Sequence, residues 1–80
     1  MSVTADQHFA IVPEWVLYAD ISANAVRLYA TLRRYADKQG KAHPSRAALA
    51  ENMRTSTDTV KRAVAELVSI GALDLAPRFD

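Results

Sequence analysis

Two helical patterns stand three residues apart in this chain, and that spacing limits the available folds more than any other feature. Ser45 offers a hydroxyl ahead of Arg46–Met53, where Ala47, Leu49, Ala50 and Met53 are the candidate core positions. Arg54 and Thr55 break the pattern. Ser56 then caps a longer run, Thr57–Ile70, in which Val60, Ala63, Val64 and Leu67 recur on one helical face. Serine suits both starts because its oxygen accepts a backbone N–H that the first helical turn leaves unpaired. Gly71 ends the second helix. With so short a connection the helices must cross closely, which calls for small residues such as Ala50 and Ala63. A short helix, a tight turn and a longer helix make a helix-turn-helix.

Upstream, Ser22 caps a third pattern, Ala23–Lys38. Ala25, Leu28, Tyr29, Leu32, Tyr35 and Ala36 line one face, with Asn24, Arg27, Thr31, Arg34 and Lys38 opposite and Gly40 as terminator. Phe9–Val12 is a short apolar run, either a strand or a packed arm. Pro13 suits a helix's first turn and Glu14 its N-terminus, so Trp15, Val16 and Leu17 belong to a brief helix ending near Asp20. Lys41–Pro44 is expected to be extended, because a residue before proline avoids the helical region. Leu73 and Leu75 flank Asp74, a strand signal that Pro77 stops. Residues 1–7 are polar and expected to be disordered. The reading is one mainly α domain over residues 1–80, with three principal helices, a short N-terminal helix and a small β element.

Eighty residues, half of them apolar, suffice for one small core. The chain has no cysteine, no run approaching the ~18 apolar residues of a membrane span, and no basic-then-apolar leader. A cytoplasmic location without membrane contact is expected. His8 and His43 are far apart and lack clustered carboxylates, so no metal site is expected. No nucleophile–base set, glycine-rich phosphate loop or carboxylate pair stands out, which argues against an enzyme and against a bound cofactor. Trp15, Tyr29 and Tyr35 read as core residues rather than stacking platforms, with a dimer surface as the alternative for Trp15.

Net charge is +1, but its distribution is uneven. Residues 41–62 hold Lys41, Arg46, Arg54, Lys61 and Arg62 against Glu51 and Asp58, a net +3. A local basic patch can bind nucleic acid on a nearly neutral chain. If Val60 and Leu67 anchor the Thr57–Ile70 helix, then Thr57, Asp58, Lys61, Arg62, Ala65 and Ser69 face outward. A helix about 10–12 Å across fits the major groove. Thr57, Asp58, Lys61 and Arg62 are therefore the candidate base contacts. Lysine and arginine donate to guanine, and Asp58 either accepts from cytosine or orients Arg62. Ser45, Arg46, Arg54, Ser56 and Thr59 are the candidate phosphate contacts, at helix starts and the turn. Arg62 also stands four residues from both Asp58 and Glu66, the spacing of surface ion pairs. Arg27, Arg34 and Lys38 read as a solvated face.

The run PSRAALAENMRTSTDTVKRAVAELVSIGAL, Pro44–Leu73, resembles the winged helix-turn-helix domains of GntR-type bacterial regulators. It is more similar still to related domains of plasmid and phage regulators and replication initiators. The resemblance rests on Pro44-Ser45, Leu49-Ala50, Ser56, Thr59-Val60, Arg62-Ala63-Val64, Leu67 and Gly71-Ala72-Leu73. It implies duplex DNA binding, with Thr57, Lys61 and Arg62 reading the major groove and Ser45, Arg46, Ser56 and Thr59 at phosphates. Two positions depart from the pattern: Arg54 stands where the turn usually has glycine, and Thr55 where it has an apolar residue. A wing is a hairpin, and the chain supplies one strand, with Arg78 as its only cation, before ending at Asp80. The chain is thus either a piece of a longer protein or a variant with a truncated wing. The expected role is sequence-specific DNA binding in transcriptional regulation. A replication or DNA-maintenance fragment is the first rival, and a winged helix used only for protein contacts is the second. One domain makes few contacts, so useful affinity calls for a homodimer or further protein.

Overall fold

A computed structural model describes residues 9–39 and 44–74, with side chains for all of these except 36–39. Four helices follow in order: α1 (Glu14–Leu17), α2 (Ala23–Gln39), α3 (Arg46–Met53) and α4 (Thr57–Ser69). No strand occurs among the described residues, and none of their helices is long and apolar enough to cross a membrane. Leu73 and Asp74 carry no strand. Leu75, Pro77 and Arg78 lie outside the described residues, as do residues 1–7, Gly40 and Lys41–His43.

The core is built around α4, which packs on both α2 and α3. Val60, Ala63 and Leu67 of α4 are wholly buried. They meet Ala25 and Leu28 of α2 and Leu49, Ala50 and Met53 of α3 in one cluster. Tyr29, Leu32, Tyr35 and Val64 are partly buried against it, joined by Ile21, Ile70, Ala72 and Leu73. Ala50 and Ala63 are both among the buried residues of the α3–α4 pair. Larger side chains at such a crossing would force the helices apart.

Two core expectations are corrected. Ala47 is exposed: α3 is eight residues long and carries alanine on opposite sides, so its composition does not define a face. Trp15 is also exposed, and Val16 is the residue of α1 that is buried. The first helix is shorter than expected as well. Pro13 stands at its N-cap (φ −62°, ψ 147°), and the helix ends at Leu17 because Tyr18 leaves helical geometry (φ −102°, ψ 9°). α2 runs one residue beyond the expected Lys38, and α4 stops one residue before Ile70, which is its C-cap. The Phe9–Val12 run forms no strand.

Two polar contacts tie the helices together at their edges. Asn52 Nδ2 of α3 donates to Tyr35 Oη of α2 at 2.7 Å and to the Ala48 carbonyl at 3.0 Å. At the start of α2, Ser22 caps the helix by accepting the Ala25 N–H at 3.2 Å. Its own N–H donates to Glu66 Oε1 at 2.8 Å, and its hydroxyl donates to Glu66 Oε2 at 2.6 Å. In a capping box the acidic partner normally sits three residues into the same helix. Here that position is Ala25, and the carboxylate comes instead from α4, 44 residues along the chain. The expected surface pair between Arg62 and Glu66 is corrected accordingly: among the described residues Glu66 is directed to Ser22 instead.

Candidate nucleic-acid interface

The candidate residues begin at two helix starts built alike. Ser45 is extended (φ −69°, ψ 158°) and its Oγ accepts the Ala48 N–H at 3.0 Å. Ser56 is extended too (φ −87°, ψ 159°), and its Oγ accepts the Thr59 N–H at 3.1 Å. The Ser56 and Thr59 hydroxyls are 3.0 Å apart, so one donates to the other. A hydroxyl has one proton to give. The Ser56–Thr59 pair therefore keeps one O–H for an outside acceptor, and Ser45 keeps its own. Asp58 is the acid in the first turn of α4, where a negative charge complements the helix dipole.

Between the two helices the backbone turns through Arg54, at φ 55° and ψ 50°, the only non-glycine with positive φ among the described residues. Its N–H donates to the Glu51 carbonyl at 3.2 Å, while the Thr55 N–H donates to the Ala50 carbonyl at 2.9 Å. This pairing is a Schellman motif, which closes a helix by turning one residue left-handed. The same motif ends α4. There Gly71 takes φ 78°, its N–H donates to Val68 at 3.0 Å, and the Ala72 N–H donates to Leu67 at 2.9 Å. Glycine adopts that conformation freely, whereas arginine brings a Cβ that crowds the backbone, at about 1–2 kcal/mol.

With Val60, Ala63 and Leu67 turned inward, Thr57, Asp58, Lys61, Arg62, Ala65, Val68 and Ser69 are exposed on α4. Arg46 and Arg54 are exposed as well. An open groove of about 400 Å³ runs between the start of α3 and the outer side of α4, lined by Arg46, Lys61, Val64, Ala65, Val68 and Ser69. Two of the predicted contacts, Arg46 and Lys61, are thus brought to one groove from different helices. Arg62 lies one residue on from Lys61, about 100° around the helix. Sequence reasoning missed the apolar lining that Val68 gives this groove; a valine at the outward helical spacing was the available signal.

A family model described as a helix-turn-helix domain matches residues 19–73. This chain belongs to the helix-turn-helix domain family. The match spans α2, α3, α4 and the Arg54 turn, and it begins after α1. Within the helix-turn-helix domain, α3 is the first helix of the motif and α4 the second. No curated protein and no solved structure matches the chain significantly.

Proposed function

We propose that this helix-turn-helix domain binds duplex DNA sequence-specifically, with α4 in the major groove. The observation that carries this reading is the disposition of Arg46, Arg54, Lys61 and Arg62. All four are exposed, and all lie on α3, the turn or α4. Lys61, Arg62 and Thr57 read base edges, with Asp58 accepting from cytosine or orienting Arg62. Arg46 and Arg54 neutralise phosphates, and the spare hydroxyl protons at Ser45 and the Ser56–Thr59 pair donate to phosphate oxygens. Resemblance to winged regulators of bacteria, plasmids and phages supports a role in transcriptional regulation. Replication initiation in a plasmid or phage is the second reading, supported by the same resemblance.

Fluorescence anisotropy of a labelled random duplex, titrated between 50 and 200 mM salt, tests the reading. On a random duplex Lys61 and Arg62 meet phosphates in place of matching base edges, so that with Arg46 and Arg54 four phosphates are neutralised and log affinity falls against log salt with a slope of about −3.6, roughly a hundredfold over this range. Lys61→Ala/Arg62→Ala lowers affinity and brings the slope near −1.8. No binding by the parent chain at 50 mM salt overturns the proposal and leaves a protein partner as the ligand of α4.

A further inference from the structure

Large apolar side chains are exposed in one short segment, and it lies outside the family-matched region. Among the described residues, Phe9 (56% exposed), Ile11 (58%), Trp15 (55%), Leu17 (46%) and Tyr18 (76%) all precede residue 19, where the helix-turn-helix match begins. Val68, at 38%, is the remaining large apolar side chain that is exposed. The local geometry explains the pattern. Over residues 9–12 exposure alternates: Phe9 and Ile11 are open to solvent while Ala10 and Val12 are partly covered. In α1 the buried residue is Val16, which leaves Trp15 and Tyr18 as neighbours one turn apart on the outside. Val16 is wholly buried, so α1 is anchored while its largest side chains point away.

We propose that the Phe9–Tyr18 segment is the contact surface for a second copy of this chain. Exposed apolar clusters of this kind mark protein–protein contacts rather than ordinary surface. The composition fits the centre of an interface: three aromatic residues, two aliphatic ones, and Glu14 as the lone charge between Phe9 and Tyr18. The area fits a modest symmetric dimer. An aromatic side chain represents ~150–250 Å² of surface, so the exposed parts of Phe9, Ile11, Trp15 and Tyr18 come to roughly 500 Å², with Leu17 turned to another side of α1. Two copies then bury about 1,000 Å², the lower bound for a specific interface. A two-fold pair needs only one self-complementary patch per copy. With so few charges, the segment does not repel its own image. If the DNA reading above holds, this pairing carries two α4 helices to one duplex and the preferred target has two-fold symmetry.

Sedimentation equilibrium of the full chain tests the surface, at concentrations up to about 100 µM, where an interface this small is expected to assemble. The mass is expected to rise from one copy to two. Emission of Trp15, the sole tryptophan, is expected to shift to the blue over the same range. Tyr18→Glu, which keeps that reporter, and Trp15→Glu/Tyr18→Glu are expected to stay monomeric with unchanged helical circular dichroism. A parent chain that is monomeric throughout overturns the proposal. So does a pair that survives in the double variant, because its contact then lies on another face. Random-duplex binding separates the two readings. A chain that dimerises through this segment without binding duplex keeps the surface and loses the DNA reading, and a monomer that binds duplex does the reverse. If both hold, the double variant loses affinity for a selected palindromic site on the order of a hundredfold and keeps its binding to random duplex.

Discussion

Arg54 and Gly71 do the same backbone work, and the contrast between them bears on what the Arg54 side chain is for. Both close a helix in left-handed geometry with the same pair of hydrogen bonds. A Cβ built on Gly71 meets nothing within 4 Å, so Gly71→Ala carries only the backbone penalty of positive φ, about 1 kcal/mol. The reciprocal change, Arg54→Gly, relieves the strain already present. It should raise stability by about 1 kcal/mol, some 4–8 °C in melting temperature for a domain of this size. It should also weaken DNA binding and reduce the salt slope by about 0.9, since one phosphate contact is lost. Thermal melts and the anisotropy titration on the same variant read both effects. A gain in stability with an unchanged slope would remove Arg54 from the interface. Strain kept at an exposed arginine is expected where the side chain serves binding rather than folding.

At the scale of elements, the Ser22–Glu66 link makes the docking of α2 on α4 sensitive to acid. The hydrogen bond from the Ser22 hydroxyl, and after it the one from the Ser22 N–H, holds the Glu66 carboxyl below the 4.5 of an unperturbed glutamate, against a smaller opposing effect of burial. A carboxylate whose folded pKa is depressed contributes stability above its unfolded value. That contribution is lost as pH falls from about 4.5 through the lowered folded value. Glu66→Gln should therefore be less stable than the parent at pH 7, and the gap should narrow as pH drops below 4.5. Urea midpoints measured at several pH values check this, and a gap constant with pH removes the ionised carboxylate from the account. Elements were unevenly legible in the sequence. The bounds of α3 follow from Ser45 on one side and the break at Arg54 on the other. Its inward face does not, because alanines on both sides of a short helix look alike. Four residues of α1 span barely one turn, too few to show periodicity, which is why Trp15 reads inward and lies outward. Glu66 has a local candidate partner in Arg62, and nothing in the sequence reveals that Ser22 stands closer.

For the whole molecule, the core was legible where a helix is long enough to repeat its pattern. Val60, Ala63 and Leu67 on α4 and Ala25 and Leu28 on α2 follow directly from spacing. The outward face of α4 follows by exclusion, and with it Thr57, Asp58, Lys61 and Arg62. Less legible was what lies across from them. That Arg46 shares a groove with Lys61 depends on the angle at which α3 crosses α4, which the Arg54 turn sets. The basic surface of the matched domain was legible in the net +3 of residues 41–62, whereas the outward placing of the apolar residues before it appears only with burial.

The carboxylate that Ser22 receives from α4 also orders events in time. The caps of α3 and α4 come from their own adjacent serines and are available as soon as each helix nucleates. The start of α2 gains its acidic partner only when a residue 44 positions later arrives, after a loop closure whose entropy must already have been met. The contact is therefore expected to form after the folding barrier, so that Glu66→Ala should hasten unfolding and leave the refolding rate nearly unchanged. By the same logic, Ser56→Ala slows refolding. The two arms of a denaturant chevron would separate these cases and assign the helix-turn-helix pair to the nucleus and the seating of α2 to the downhill side.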